Sequence, residues 1–280
     1  MKKYFKFLLT LSLGLQILYA HQIDVISREE GSGTRGAFVE LLQIQKVNKK
    51  GKKVDAITQR AEITNSTSVV LSTVSGNKNA IGYISLGSLN NDVKVVSVDG
   101  AVPSVQSIRN KTYPIARPFN IVTKEKVNLV AQDFINFILS QDGQAIVDSK
   151  GYIGLDTNNP FSSTLVEGKI TISGSSSIAP VMEALKEAYL KINPKATIQL
   201  QQSDSTIGVT SVIQGISDIG MVSRELKQSE KDKGVVSKVI AIDGIVLIVN
   251  QENPIANLTQ EQIKEIYIGN IKDWKDLQGK

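Results

Sequence analysis

From residue 21 onward, short apolar runs alternate with segments whose apolar positions recur every three or four residues. In Ala196 to Gln201, ATIQLQ, Ile198 and Leu200 alternate with polar neighbours as on a half-buried strand, whereas Val209, Val212, Ile213 and Ile216 recur with helical spacing. Pro180 stands where a first helical residue is favoured, Val181, Leu185 and Tyr189 follow on one face, and Asn193-Pro194 stops that helix. Thr259 to Gln262 is a capping box ahead of Ile263, Ile266 and Tyr267. Further helices are predicted at Arg35 to Leu42, at Thr67 to Val74 ending on Gly76, and at Asp133 to Asp148. Strands are predicted at Ile23 to Ser27, Ala80 to Ser85, Val93 to Val98, Lys169 to Ser173, Asp218 to Ser223 and Lys238 to Asn250. Strands alternating with helices make an α/β protein. Gly151 to Gly168 has neither period and is rich in Gly, Asn, Ser and Thr, which reads as a linker. Lys46 to Lys53 reads as a solvated basic loop.

Residues 1–20, MKKYFKFLLTLSLGLQILYA, combine a positive end, an apolar stretch from about Phe7 to Leu18 and a cleavage site at Leu18-Tyr19-Ala20, the pattern of a secretory signal. Gly14 and Gln16 interrupt the stretch, and it falls short of the roughly 20 residues a membrane span needs. With no Cys to lipidate, the exported product, starting at His21, is expected to be free in the periplasm, with no stable membrane insertion.

Composition narrows the chemistry. The 280 residues, 41% hydrophobic and 21% charged, suffice for one large or two ordinary cores and exclude a disordered chain. Cys is absent and the single His is His21, which excludes thiol chemistry and a His-rich metal site, and would force any Ser-His-Asp triad onto that residue. Removing Lys2, Lys3 and Lys6 with the signal lowers the formal charge from +5 to +2, and no basic block is interleaved with aromatics, so no nucleic-acid partner is expected.

The informative places are those where small hydroxyl residues precede a helix, because there backbone N–H groups point outward unpaired and the helix dipole favours an anion. Three occur: Arg28 to Thr34, REEGSGT; Gly174 to Ile178, GSSSI; and Ser203 to Thr206, SDST. Each alone reads as an ordinary N-cap. Together they could surround a tetrahedral oxyanion with neutral donors, Arg28 adding one planar charged fork, at about 1.5 to 3 kcal/mol per charge-assisted bond. Gly31 to Gly36 also matches G-x-G-x-x-G, with Asp55 at the distance of a ribose-binding acid, but two acidic residues separate the strand from the first glycine where a dinucleotide site needs a tight turn.

The phrases GSSSIAP, DSTIGV, DIGMVSREL and ISREEGSGTRGAF resemble those of the periplasmic phosphate-binding proteins that deliver inorganic phosphate to an ABC transporter, and the resemblance spans nearly the whole mature chain. It implies an α/β, two-domain type II periplasmic-binding-protein fold hinged on two crossing strands, with no catalytic activity and no cofactor. It also implies phosphate and a transporter permease as partners of a monomeric protein. Matched residue by residue, it implies ligand contacts from Arg28, Ser32, Gly33, Thr34, Ser177, the backbone of Ile178, and Ser205.

Two departures stand out. Family members often carry an Asp just after the D-x-G strand, accepting the proton of bound hydrogen phosphate; the matching residue here is Ser223, followed by Arg224. Glu30 could supply the acceptor instead, or be a solvated loop residue, and Arg224 is the rival cation to Arg28. In the family the GSSSIAP half comes first, whereas here the REEGSGTR half does, as in a circular permutant. The expected organisation is a signal over residues 1–20, one α/β domain of residues 21–92 plus 246–280, and a second of residues 93–245 that contains the linker 151–168. Sulfate or molybdate is the alternative ligand. An exported phosphate-handling enzyme is the alternative class, against which the acidic residues are scattered without a metal-binding cluster.

Overall fold

The computed structural model of the chain describes residues 22–277, so the expected signal lies outside the described residues. In chain order the elements are β1 (Asp24–Arg28), α1 (Gly33–Leu41), β2 (Gln45–Val47), β3 (Lys53–Asp55), β4 (Glu62–Thr64), α2 (Thr67–Gly76), β5 (Ala80–Ser85) and β6 (Val93–Val98). They continue with α3 (Val105–Arg109), β7 (Ala116–Lys124), α4 (Leu129–Ile138), α5 (Gln141–Ser149), β8 (Gly168–Ser175), α6 (Ala179–Ile192), β9 (Ala196–Ser203) and α7 (Ser205–Gln214). The last are β10 (Ile219–Val222), α8 (Gln228–Lys231), β11 (Val235–Asn250), β12 (Asn257–Leu258) and α9 (Gln260–Ile268).

One mixed sheet runs β4-β1-β5-β11-β7-β10-β8-β9, with β6 also paired to β11 and β12 paired to β6. Its pivot is β11. Residues 235–244 pair antiparallel with β7, and residues 245–249 turn to β5 while 247–250 also pair β6. Every residue from Ile245 to Asn250 is buried, as a strand covered on both faces requires. The second crossing segment is the start of β7, where Ile115 accepts a backbone bond from Ile245 at 2.9 Å.

Two principal cores lie on either side of these crossings. The first gathers Phe38, Tyr83, Val96, Ile115, Leu247, Tyr267 and Trp274, with Phe38 stacked on Tyr83 at 4.0 Å between centroids. The second gathers Phe119, Phe134, Tyr152, Leu185, Tyr189, Met221 and Ala241. Val93 to Ile115 thus pack with the first core rather than the second. The two described ends meet in that first core: Gln22 bridges Asp273, and the Ile23 N–H donates to Lys272 O at 2.8 Å.

Several elements depart from expectation. The helix over Asp133 to Asp148 is two helices, because the Ser140 hydroxyl accepts from Gly143 N at 3.2 Å and starts α5 afresh. Strand β7 escapes pattern reading because Arg117, Pro118 and Asn120 interrupt its apolar run. The basic loop at Lys46 to Lys53 is largely the hairpin β2–β3, whose turn Asn48 closes by accepting from Lys50 N and Lys52 N. The segment 151–167 has no helix or strand, yet it is pinned: Ile153 pairs with Ile242, and Asp133 accepts from the hydroxyls of Ser163 and Thr164.

Candidate functional site

Helices α1, α2, α6 and α7 all begin at one place, between the two cores. Ser32 caps α1 by accepting from Arg35 N, Ser66 caps α2 by accepting from Val69 N, and Asp204 caps α7 by accepting from Ile207 N at 2.8 Å. Pro180 lies in the first turn of α6, which Ser175, Ser176 and Ser177 precede. The first-turn N–H groups of these helices are the donors that helical bonding leaves unpaired.

Around these starts the two walls touch through hydroxyls. Thr34 Oγ1 lies 2.8 Å from Ser177 Oγ, and Thr67 Oγ1 lies 3.3 Å from Ser176 Oγ and 3.2 Å from Ser177 Oγ. On the far wall Ser175 donates to Ser223 Oγ at 2.9 Å, and Ser205 Oγ accepts from Ser223 N at 3.1 Å. Gly33 permits this closeness: a Cβ there would overlap Ser205 Oγ and sit 2.6 Å from Ser223 Oγ. The backbone N–H of Thr206 donates across the same seam to Gly31 O at 3.2 Å.

Arg28, at the end of β1, is 2% exposed and brings the charge. One edge of its guanidinium, Nε and Nη2, is held by Glu29 at 2.8 and 2.7 Å. The other edge faces the hydroxyls, with Nη2 donating to Ser176 at 3.2 Å and Nη1 to Thr67 at 3.5 Å. Deeper, where the strands cross, Arg117 pairs with Asp243, which also accepts from Ser85 Oγ at 2.8 Å. Burial pushes the Asp243 carboxyl up to about 6 against the pull of Arg117, and burial likewise lowers Arg117.

The structure therefore gathers Arg28, Ser32, Gly33, Thr34, Ser177, Ile178, Ser205 and Ser223. Two residues left open by the sequence lie as follows. Glu30 is exposed at the outer end of the β1–α1 turn and not in the hydroxyl cluster. Arg224 pairs with Glu230, whose two oxygens it holds at 2.8 Å each, while its Nη2 also donates to Thr206 Oγ1 at 3.3 Å. Burial works against ionisation of Glu230, but Arg224 and Lys227 together outweigh it and hold the carboxyl below its usual range. Ser32 adds a nuance, since its hydroxyl is used as the helix cap. Asp55, which a dinucleotide site would need for a ribose, is paired with Arg35 at 2.6 Å. Sequence reading missed Thr67, Ser176, Arg117 and Asp243; the run Asn65-Ser66-Thr67 ahead of α2 was a fourth hydroxyl-rich helix start and carried the signal for Thr67. Among the described residues no group of three His, Cys, Asp or Glu could hold a metal ion.

Comparisons with known proteins identify the family. The PBP superfamily domain matches residues 15–142 and 159–280. The phosphate-binding protein PstS 2 of Streptococcus agalactiae is 53% identical over 256 residues, covering 91% of this chain and 87% of that protein. The crystal structure of a phosphate ABC transporter phosphate-binding protein from Streptococcus pneumoniae matches with a TM-score of 0.72 and 42% identity, over 91% of this chain and 99% of that one. The phosphate-binding protein PstS of Bacillus subtilis matches only 115 residues, at 36% identity, covering 40% of this chain and 38% of that protein. The chain belongs to the PBP superfamily and, within it, to the phosphate-binding proteins of the PstS type.

Proposed function

We propose that this chain binds inorganic phosphate between its two lobes outside the cytoplasmic membrane and delivers it to an ABC transporter. The observation that carries the reading is the convergence of four helix starts and the Arg28 guanidinium on one ring of hydroxyls drawn from both walls. Such donors suit a compact oxyanion with several acceptor oxygens and no apolar part. The direct Thr34–Ser177 contact would be replaced by bonds from each hydroxyl to the bound anion.

Arg28, Thr34, Ser177, Ser205 and Ser223 supply side-chain donors in this reading, and Ser32, Gly33 and Ile178 supply backbone. The lobes divide at about 115/116 and 244/245, where the core changes, rather than at 92/93 and 245/246. Both walls come from one chain, so a monomer is a complete binding unit. Residues 1–20 act as the export signal, and among the described residues no helix is long and apolar enough to cross a membrane. Binding, not catalysis, is the activity, as in the relatives named for it.

Ser223 favours testing a second ligand class, because no carboxylate stands where a hydrogen-phosphate proton would be received, and an uncharged hydroxyl does not repel sulfate or molybdate. Calorimetry of the mature chain with phosphate, sulfate and molybdate separates these. Saturable binding of phosphate at one site per chain is expected; heat from sulfate or molybdate alone would reassign the ligand, and no heat from any would end the oxyanion reading.

A further inference from the structure

Arg117 and Asp243 sit opposite each other on the two crossing strands, in register, and both are shut off from water. Nε and Nη2 of Arg117 donate to one carboxylate oxygen at 3.2 and 3.0 Å. The remaining nitrogen, Nη1, donates to the backbone carbonyl of Ser223 at 3.0 Å. The other Asp243 oxygen accepts from Ser85 Oγ at 2.8 Å, at the end of β5, and the carboxylate also accepts from the Leu86 N–H. Ser223 is thus held at its carbonyl by Arg117, at its N–H by Ser205 and at its hydroxyl by Ser175.

Burying an ion pair is costly, and an apolar pair of similar size would often serve stability as well. A pair kept at the crossing of two lobes, with one nitrogen reaching the wall of the anion site, therefore calls for a geometric reason. We propose that Arg117 is a positioning residue of the anion site, holding the Ser223 carbonyl so that its hydroxyl is aimed into the cleft, with Asp243 tying that hold to the other lobe through Ser85. Lysine could not replace it, since a single ammonium cannot span the carboxylate and the carbonyl in the guanidinium's fixed fork. Around Asp243 the facing groups are Arg117, Ser85, Tyr113 and Tyr152, and Arg28 faces Arg117 from the site side with like charge.

The inference rests on the phosphate reading, so the test measures inorganic phosphate binding to the unaltered mature chain first; failure there ends that reading and not this one alone. With binding established, Arg117→Lys is expected to weaken it tenfold or more while unfolding stays cooperative. Asp243→Asn is expected to bind several-fold more weakly than the unaltered chain at pH 8, the ratio closing toward one as the pH falls to 5 and Asp243 takes up its proton. Taking this ratio at each pH cancels the titration of phosphate itself. Removing a negative charge near an anion would by charge alone tighten binding, so tighter binding by Asp243→Asn at pH 8 overturns the proposal, as does unchanged affinity of Arg117→Lys. Where Arg117→Lys fails to fold, Asp243→Asn, which keeps the shape of its side chain and an acceptor for Arg117, decides alone.

Discussion

Thr34 Oγ1 and Ser177 Oγ lie 2.8 Å apart across the cleft, although 143 residues separate them along the chain. Thr34 is in the first turn of α1 and Ser177 immediately precedes α6, so the contact joins two helix starts from opposite lobes. Thr34→Val preserves shape and removes the hydroxyl. Loss of one such bond in a closed site costs about 1 to 2 kcal/mol, a factor of 5 to 30 in affinity. Isothermal titration with phosphate should show that weakening for Thr34→Val and a comparable one for Ser177→Ala; full affinity in both would remove the pair from the site.

Gly33 tests closure rather than chemistry. Its φ is not in the left-handed region, so the backbone accepts alanine, but the added methyl would overlap Ser205 Oγ and crowd Ser223. Those neighbours belong to the opposite wall, so the collision would arise only where the two walls meet. Gly33→Ala is therefore expected to reduce phosphate affinity at least tenfold while shifting the unfolding midpoint without ligand only slightly. Equal losses in both would mean that the close approach serves folding instead.

Arg28 and Arg224 were rivals on sequence, and their partners separate them. Arg28 presents its Nη1 and Nη2 edge to Thr67 and Ser176, whereas Arg224 pairs both terminal nitrogens with Glu230, Nη2 also reaching Thr206 Oγ1 at 3.3 Å. Arg28→Lys keeps a charge but loses the planar edge, and about 1 to 3 kcal/mol of binding should go with it; Arg28→Ala should lose more. Arg224→Ala leaves Glu230 unpaired and is expected to lower stability while phosphate still binds. Abolished binding with Arg224→Ala and retained binding with Arg28→Ala would reverse the assignment.

Why some of this was legible and some was not follows from how local each cause is. The starts of α1, α6 and α7 were readable because a cap and its first turn lie within four residues, and the buried run Val246 to Asn250 announced a crossing strand. Strand β7 was not, because Arg117 and Asn120 look like loop residues until Asp243 and the Arg224 carbonyl, more than 100 residues away, receive their hydrogens. Glu30 and Arg224 were left as alternatives for a related reason: sequence places a residue on a turn but does not say which side its chain leaves. Six residues beyond Arg224, Glu230 decides the matter.

Asp243 gives the fold a pH signature. Its carboxyl is raised by burial from 3.8 to about 6, so the native state holds a proton that the unfolded chain releases between those values. Stability from this group is greatest at low pH and declines as pH rises through the window from about 4 to 6, then levels off. At roughly 1.36 kcal/mol per unit, the decline is on the order of 2 to 3 kcal/mol. Carboxylates such as Glu230 titrate with the opposite sign, so the readout is the difference between the unaltered chain and Asp243→Asn. Denaturant unfolding without phosphate at pH 4 to 7.5 should show the advantage of the unaltered chain shrinking up to about pH 6; a flat difference would mean that Asp243 ionises as it does in water.

The C-terminal segment packs in the first lobe, and a truncation tests how far that lobe depends on it. Residues 245–249 of β11 pair β5, residues 247–250 pair β6, and Ile266, Tyr267 and Trp274 sit in the same core as Phe38 and Tyr83. Removing residues 246–280 would take away the strand between β5 and β6 and the Tyr267 ring, which meets Phe38 edge-on at 4.7 Å beside the Phe38–Tyr83 stack at 4.0 Å. The second core would keep β7 and residues 235–244, which pair with each other across a bulge at Ile240. Hydrogen exchange of the truncated chain should therefore show lost protection across β1 to β6 and retained protection in β7 to β10. If residues 22–98 instead stay protected, the first lobe folds without the C-terminal stretch and a linear division near residue 168 is the right one.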